Sequence, residues 1–357
     1  MRNNLRLYHM FIRQLCQWLP NERITRKRNL ALLVTGLYLG RGIHLPLIVR
    51  KWPMVGRVPS LVNRLHRFLD NPRLNPQACY QPLVEQLLKV FTGRTLRLAI
   101  DTTKVGFGHR ALVVGLAYRK RTLPLAWSVH PGPIGNVAVI KIIALLEWVH
   151  RLVPSNCEVV LTGDAAFRMS DLLYWLREHH WHYVIRQRKE SLVRYPDGCW
   201  FRISTIPIQP GQTKVIGWVW LARTNPFGLT WLVIHWAKGE KEPWILVSDY
   251  GNAKQVVRTY RLRMWIEEMF GDMKKHGFDL ERTMLRHFDR LSRLTLAVAL
   301  LYVWLISVGT RTIRDGLRNM VDRNERRDLS IFQIGLRFIE RCVINAHIFQ
   351  VTLCSYR

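Results

Sequence analysis

Between Tyr260 and Lys274 the chain reads Tyr-Arg-Leu-Arg-Met-Trp-Ile-Glu-Glu-Met-Phe-Gly-Asp-Met-Lys. Tyr260, Arg263, Glu267 and Lys274 stand at offsets 0, 3, 7 and 14, so on one helix of 3.6 residues per turn they share a stripe. A phenol, a guanidinium, a carboxylate and an ammonium on one face suit a site that grips phosphate and binds metal. Most charged helix faces are simply solvated. Four specified residues at fixed spacing, however, recur by accident only about once in a few hundred chains of this length.

Two apolar runs upstream end in acids. Arg97-Leu98-Ala99-Ile100-Asp101-Thr102-Thr103 has the texture of a strand closing on a carboxylate, and so has Cys157-Glu158-Val159-Val160-Leu161-Thr162-Gly163-Asp164. Cleavage of a phosphodiester by two metal ions needs acidic oxygen ligands that hold two hard cations about 3.5–4 Å apart. Asp101, Asp164 and Glu267 are 63 and 103 residues apart, so only a fold can bring them together. Taken singly, each is an ordinary strand-end or helix-surface acid. Taken jointly, two strand-end acids and a motif glutamate form a candidate catalytic set.

The Tyr-x2-Arg-x3-Glu-x6-Lys pattern, with Gly163-Asp164 and the following Ala165-Ala166-Phe167, resembles the signature of the DDE insertion-sequence transposases with a Tyr-Arg-Glu-Lys (YREK) motif. The resemblance covers roughly residues 60 to 310. It implies that Asp101, Asp164 and Glu267 are catalytic and ligate two Mg²⁺ (or Mn²⁺) ions. Tyr260, Arg263 and Lys274 would contact DNA phosphates, Arg263 as a bidentate fork and Lys274 as a mobile point charge. Trp244 would stack on a base flipped out beside the cleaved end, with core packing as the equal alternative. Double-stranded DNA, both transposon ends and target, is the implied partner, bound by a homodimer and processed by cut-and-paste through a hairpin. A catalytically silent DNA-binding regulator and a structure-selective nuclease of the same fold are the alternatives.

Neighbouring acids are rivals for these places. Glu268 lies about 100° around the helix from Glu267 and breaks the motif spacing, so it is expected to be structural. Asp171 is expected in the first turn of a helix, favoured there by the helix dipole. Asp249 is a candidate cap for the motif helix.

Composition points the same way. The 357 residues hold 54 Lys and Arg against 25 acids, a formal net charge of +29, which favours polyanions through phosphate neutralisation. A hydrophobic content of 48% is too high for a disordered basic tail. Cys16, Cys79, Cys157, Cys199, Cys342 and Cys354 show no metal-binding spacing and are expected as reduced thiols in a cytoplasmic, nucleoid-associated protein. Arg2, Arg6 and Arg13 interrupt the N-terminus, so no secretory signal is expected. Leu294 to Gly309 is apolar but shorter than the roughly 20 residues that span a bilayer, so a buried core helix rather than a membrane partner is expected.

Four parts are expected along the chain. Residues 1–92 form a small all-α domain: up to residue 90 they hold 15 Lys and Arg against Glu22, Asp70 and Glu85, a composition suited to DNA backbone. A helical collar packed on the core is the alternative. Residues 93–189 and 249–310 form an α/β, ribonuclease-H-like catalytic core. Its expected order is three strands (96–100, 111–118 and 123–129), a helix over 136–153, a strand at 157–162, a helix from Ser170 as cap to His180, and a strand at 182–186. Residues 190–248 form a β-rich insertion holding Trp200, Trp218, Trp220, Trp231, Trp236 and Trp244. A helical segment, 311–357, closes the chain and is suited to pairing subunits or tracking DNA.

Overall fold

The structure is a computed structural model that describes residues 3–106, 108–132 and 137–345. Asn136, expected to open a helix, Cys354 and the stretch 346–357 of the C-terminal segment lie outside the described residues.

Five helices come first: α1 (Asn3–Trp18), α2 (Ile24–Gly40), α3 (Leu45–Val49), α4 (Val58–Asp70) and α5 (Pro76–Lys89). Proline in the first turn starts α3, α4 and α5, where its missing N–H costs nothing. The Asn75 side chain caps α5 by accepting from the Ala78 amide at 3.1 Å. These helices share one apolar core with the C-terminal helices. The Tyr38 hydroxyl donates to the Leu336 carbonyl at 2.8 Å, and the buried Arg293 guanidinium donates to the carbonyls of Leu69 and Leu74 at 2.8 and 3.0 Å. The N-terminal helices are thus a layer seated on the core.

The sheet begins with an antiparallel meander of β1 (Leu96–Val105), β2 (His109–Tyr118) and β3 (Arg121–Pro131). After α6 (Val139–His150), β4 (Val159–Gly163) pairs parallel with β1. Helix α7 (Ser170–Glu178) then leads to β5 (His182–Arg186), parallel to β4. These five strands lie in the order β3-β2-β1-β4-β5. Ser170 does not cap α7: it lies inside the helix, and its hydroxyl donates to the Asn225 carbonyl at 2.6 Å.

Residues 190–248 add β6 (Leu192–Arg194), β7 (Trp200–Arg202), β8 (Thr213–Leu221), β9 (Phe227–His235) and β10 (Trp244–Ser248). They extend the same sheet, which runs β3-β2-β1-β4-β5-β10-β9-β8-β6-β7. The junction is antiparallel pairing of β10 with β5, Val247 opposite Ile185. Alternation along β10 divides its side chains: Ile245 and Val247 join the large core, while Leu246 joins a smaller cluster on the other face with Val160, Val184, Val256 and Tyr260.

Four helices follow among the described residues: α8 (Ala253–Arg261), α9 (Met264–Met273), α10 (Phe288–Arg314) and α11 (Ile331–Ile344). Helix α10 is long and apolar enough to cross a membrane, yet 94% of its apolar window is buried inside the protein, so the 294–309 run is a core helix. It touches α11 backbone to backbone. A Cβ on Gly309 would meet the Ile331 carbonyl oxygen at 2.0 Å, and one on Gly335 would meet the Leu305 oxygen at the same distance.

Gly309→Ala is therefore expected to destabilise the protein by about 1–3 kcal/mol, because the helices must separate. Gly251→Ala, where no atom lies within 4 Å of the new methyl, is the matched control. Equal melting temperatures for the two variants would contradict this packing.

Candidate active site

Strand register brings the first two acids side by side. Ile100 of β1 pairs with Gly163 of β4, so the next residue on each chain, Asp101 and Asp164, emerges at the same level of the sheet. Gly163 keeps the approach close: a Cβ there would press on Ile100, Ile185 and Phe167 at 3.1–3.2 Å. Asp164 then caps a short 3₁₀ turn, Ala165–Phe167, accepting from the Ala166 amide at 2.8 Å. Asp101 accepts from the Thr102 amide at 2.7 Å.

Glu267 comes from the first turn of α9, which buries Ile266, Met269, Phe270 and Met273. The three acids converge on one side chain. Arg263 Nη2 lies 2.7 Å from Asp101 Oδ2 and 3.9 Å from Asp164 Oδ2, while its Nη1 donates to Glu267 Oε1. Three acids separated by 63 and 103 residues thus meet around one guanidinium.

The electrostatics follow from this convergence. Burial raises the Asp101 carboxyl to about 6, opposed by Arg263 and reinforced by Asp164 and Glu267. Burial works against the Arg263 charge, but Asp101, Glu267, Tyr260 and Asp164 outweigh it and hold the guanidinium above its ordinary value. Three carboxylates against one cation leave an excess of negative charge. Among the described residues no trio of acids, histidines or cysteines stands in direct metal-binding geometry. The all-oxygen donor set nevertheless suits hard divalent cations, and Arg263 already places positive charge among all three acids.

The motif does not form the single helical stripe expected of it. Between Thr259 and Ile266 the backbone turns through i→i+3 bonds: Leu262 to Thr259, Arg263 to Tyr260, Trp265 to Leu262 and Ile266 to Arg263, at 2.9–3.1 Å. This tighter turn ends α8 and starts α9. Tyr260 consequently packs at 2% exposure in the smaller apolar cluster, edge-on to Trp244 with ring centroids 5.1 Å apart. Burial raises its phenol to about 12, with Arg263 and Arg186 opposing and Asp164 and Asp101 reinforcing, so it borders the acids. Lys274 lies past the end of α9 and pairs with Glu281. Trp244 is half-buried against Tyr260 and His235.

The rival acids have other tasks. Glu268 pairs with Arg121 at 3.1 Å, and Asp171 in the first turn of α7 accepts from Asn225 at 2.9 Å. Asp249 does not cap the motif helix. It lies 2.5 Å from His182 Nδ1 and accepts from the Tyr183 amide, while Asn252 caps α8 by accepting from the Gln255 amide at 3.0 Å.

Two residues escaped the sequence reading. Arg121, at the start of β3, donates to the buried Asp272 at 2.6 Å and so ties α9 to the meander. The i,i+4 spacing of Glu268 and Asp272 was the available signal, since both face Arg121.

The sequence profile of the transposase DDE domain family matches residues 97–304, more than half of the chain and the whole of the site. The chain belongs to that family. No curated protein sequence matches it significantly. Among solved structures it is similar to a piggyBac transposase synaptic complex with hairpin DNA. That match has a TM-score of 0.45 and 11% identity, and covers 97% of this chain and 81% of the other. This family member sets its three acids around Arg263 and anchors the helix carrying Glu267 through Asp272.

Burial raises Asp272 to about 6 despite Arg121 beside it. A carboxyl whose folded pKa exceeds its unfolded value binds more protons when folded, so its contribution declines as pH rises from about 4 to about 6. Asp272→Asn is expected to remove that decline from a plot of melting temperature against pH. An unaltered plot would show that other groups set it.

Proposed function

We propose that this transposase-family protein binds the ends of its own mobile element as a homodimer and cuts and joins DNA at one Asp101–Asp164–Glu267 site in a ribonuclease-H-like core. The observation that carries the proposal is the meeting of the three acids around Arg263, within the stretch matched by the family. Asp101, Asp164 and Glu267 would hold two Mg²⁺ (or Mn²⁺) ions. Such ions supply activation of the attacking oxygen and charge stabilisation for the leaving one.

The residues of the chain account for the remainder. Asp101 and Asp164 are held by amide hydrogen bonds and adjacent strands, so they are fixed before DNA arrives. Glu267, on a helix start, is the adjustable member. Arg263 offsets part of the negative charge of the acids in the free protein, and its planar fork would suit a DNA phosphate. Tyr260 and Trp244 form the wall beside it, and Lys274 exchanges Glu281 for phosphate. One strand is first hydrolysed to free a 3′-hydroxyl. That hydroxyl attacks the opposite strand to give a hairpin, which is reopened and joined to target DNA.

The deciding experiment incubates a labelled duplex carrying the element's own end with Mg²⁺. Wild type is expected to give nicks and hairpins, and Glu267→Gln to give neither while still binding DNA. Binding without cleavage by wild type would favour a silent DNA-binding protein, and nicking without joining a structure-selective nuclease.

Arg263→Ala is expected to weaken binding of the element's end while keeping or tightening Mn²⁺ binding measured by calorimetry without DNA. Loss of Mn²⁺ binding would overturn the role given to this arginine.

A further inference from the structure

Away from the acids, α2 and α4 enclose an open cavity of about 380 Å³ lined by Arg23, Arg26, Arg64, Arg67 and Arg73, with Asn29 among them. No carboxylate lines it. The two nearby acids are already paired, Glu22 with Arg26 at the rim of the cavity and Asp70 with Arg290. Glu22 accepts from Arg26 at 2.7 Å and from the Arg23 amide at 2.8 Å, and Asp70 is held by Arg290 of α10.

Among the described residues, Arg23, Arg67 and Arg73 have no carboxylate partner. Arg64 is oriented by Asn29, whose side-chain oxygen accepts from its Nε and Nη2 at 3.3 and 3.0 Å. Glu22, at the start of α2, accepts from the Arg23 amide and pairs with Arg26, so it is not available to Arg67 or Arg73. Like charges gathered together repel one another, and the arginines that have no carboxylate partner, Arg23, Arg67 and Arg73, gain when an anion enters.

We infer that the α2–α4 arginine cavity is a phosphate clamp for the backbone of duplex DNA, gripping successive phosphates of one strand independently of base sequence. Guanidiniums match phosphate bidentately, and Asn29 already holds the Arg64 fork in place. The clamp lies on a different layer from the acids, and it sets where DNA outside the cleavage point must run. The inference rests on the transposase reading in one respect, that DNA is the polyanion in question.

The test measures affinity for an element-end duplex and a random duplex of equal length between 50 and 200 mM salt, for wild type and the double variant Arg67→Gln/Arg73→Gln. Both side chains are exposed, so the fold should persist, and a melting curve checks it. Each lost phosphate contact lowers the slope of log K against log salt by about 0.9, so the variant should be shallower by about 2 on both duplexes. The exposed Arg23→Gln alone should lower it by about 1, which keeps the test open if the double variant fails to fold.

An unchanged slope would overturn the clamp. Loss confined to the element-end duplex would overturn it too, by showing base reading instead. Wild type that binds DNA with the full slope but never nicks it would sink the catalytic proposal and leave the clamp standing. Wild type that nicks, with variants of unaltered slope, would sink the clamp alone.

Discussion

The contact of Arg263 with Asp101, Asp164 and Glu267 is the constraint around which this structure is organised. Three carboxylates brought close in a partly dry site repel, and without a cation the elements that carry them would be pushed apart. Arg263 offsets that repulsion from the turn between α8 and α9, at the start of the helix that bears Glu267. The guanidinium and the motif carboxylate therefore sit one helical turn apart, facing two acids fixed in the sheet. An Arg–Glu pair in any other relation to the strands could not serve both acids at once.

The sheet supplies the fixed half. Parallel pairing of β1 with β4 sets Asp101 beside Asp164, and Gly163 removes the side chain that would have spread the strands. Helix α9 supplies the third acid, and Arg121 with Asp272 ties its far end to β3. Burying Asp272 at 1% exposure carries a desolvation cost that only a close, hydrogen-bonded cation can offset. The helix is thus held by apolar packing along its length and by charge at each end.

Much of this was legible in the residues. The bounds of β5 agree with the alternating run His182–Arg186, and the meander, β4 and the buried α10 follow from apolar runs punctuated by turns. The three acids were legible because strand ends and motif spacing are local signals. What depended on distant partners was not. The change from i→i+4 to i→i+3 bonds near Arg263 leaves no mark in a sequence of good helix formers, so Tyr260 and Lys274 could not be seen to leave the stripe. Ser170 and Asp249 have the right chemistry for caps, but Asn225, His182 and Tyr183 claim them. Continuity of β6–β10 with the main sheet is set by pairing of β10 with β5, a contact between segments far apart in sequence.

That same pairing makes the excursion between β5 and β10 a replaceable module. The chain leaves β5 at Arg186 and comes back beside it at Leu246 of β10, so those two points are pinned about 4.8 Å apart whatever lies between. Changes in the length or content of the excursion are absorbed beyond β10, on the side of the sheet away from Asp101. Evolution could therefore exchange this module while the acids kept their positions, much as a tool head is changed on a fixed spindle.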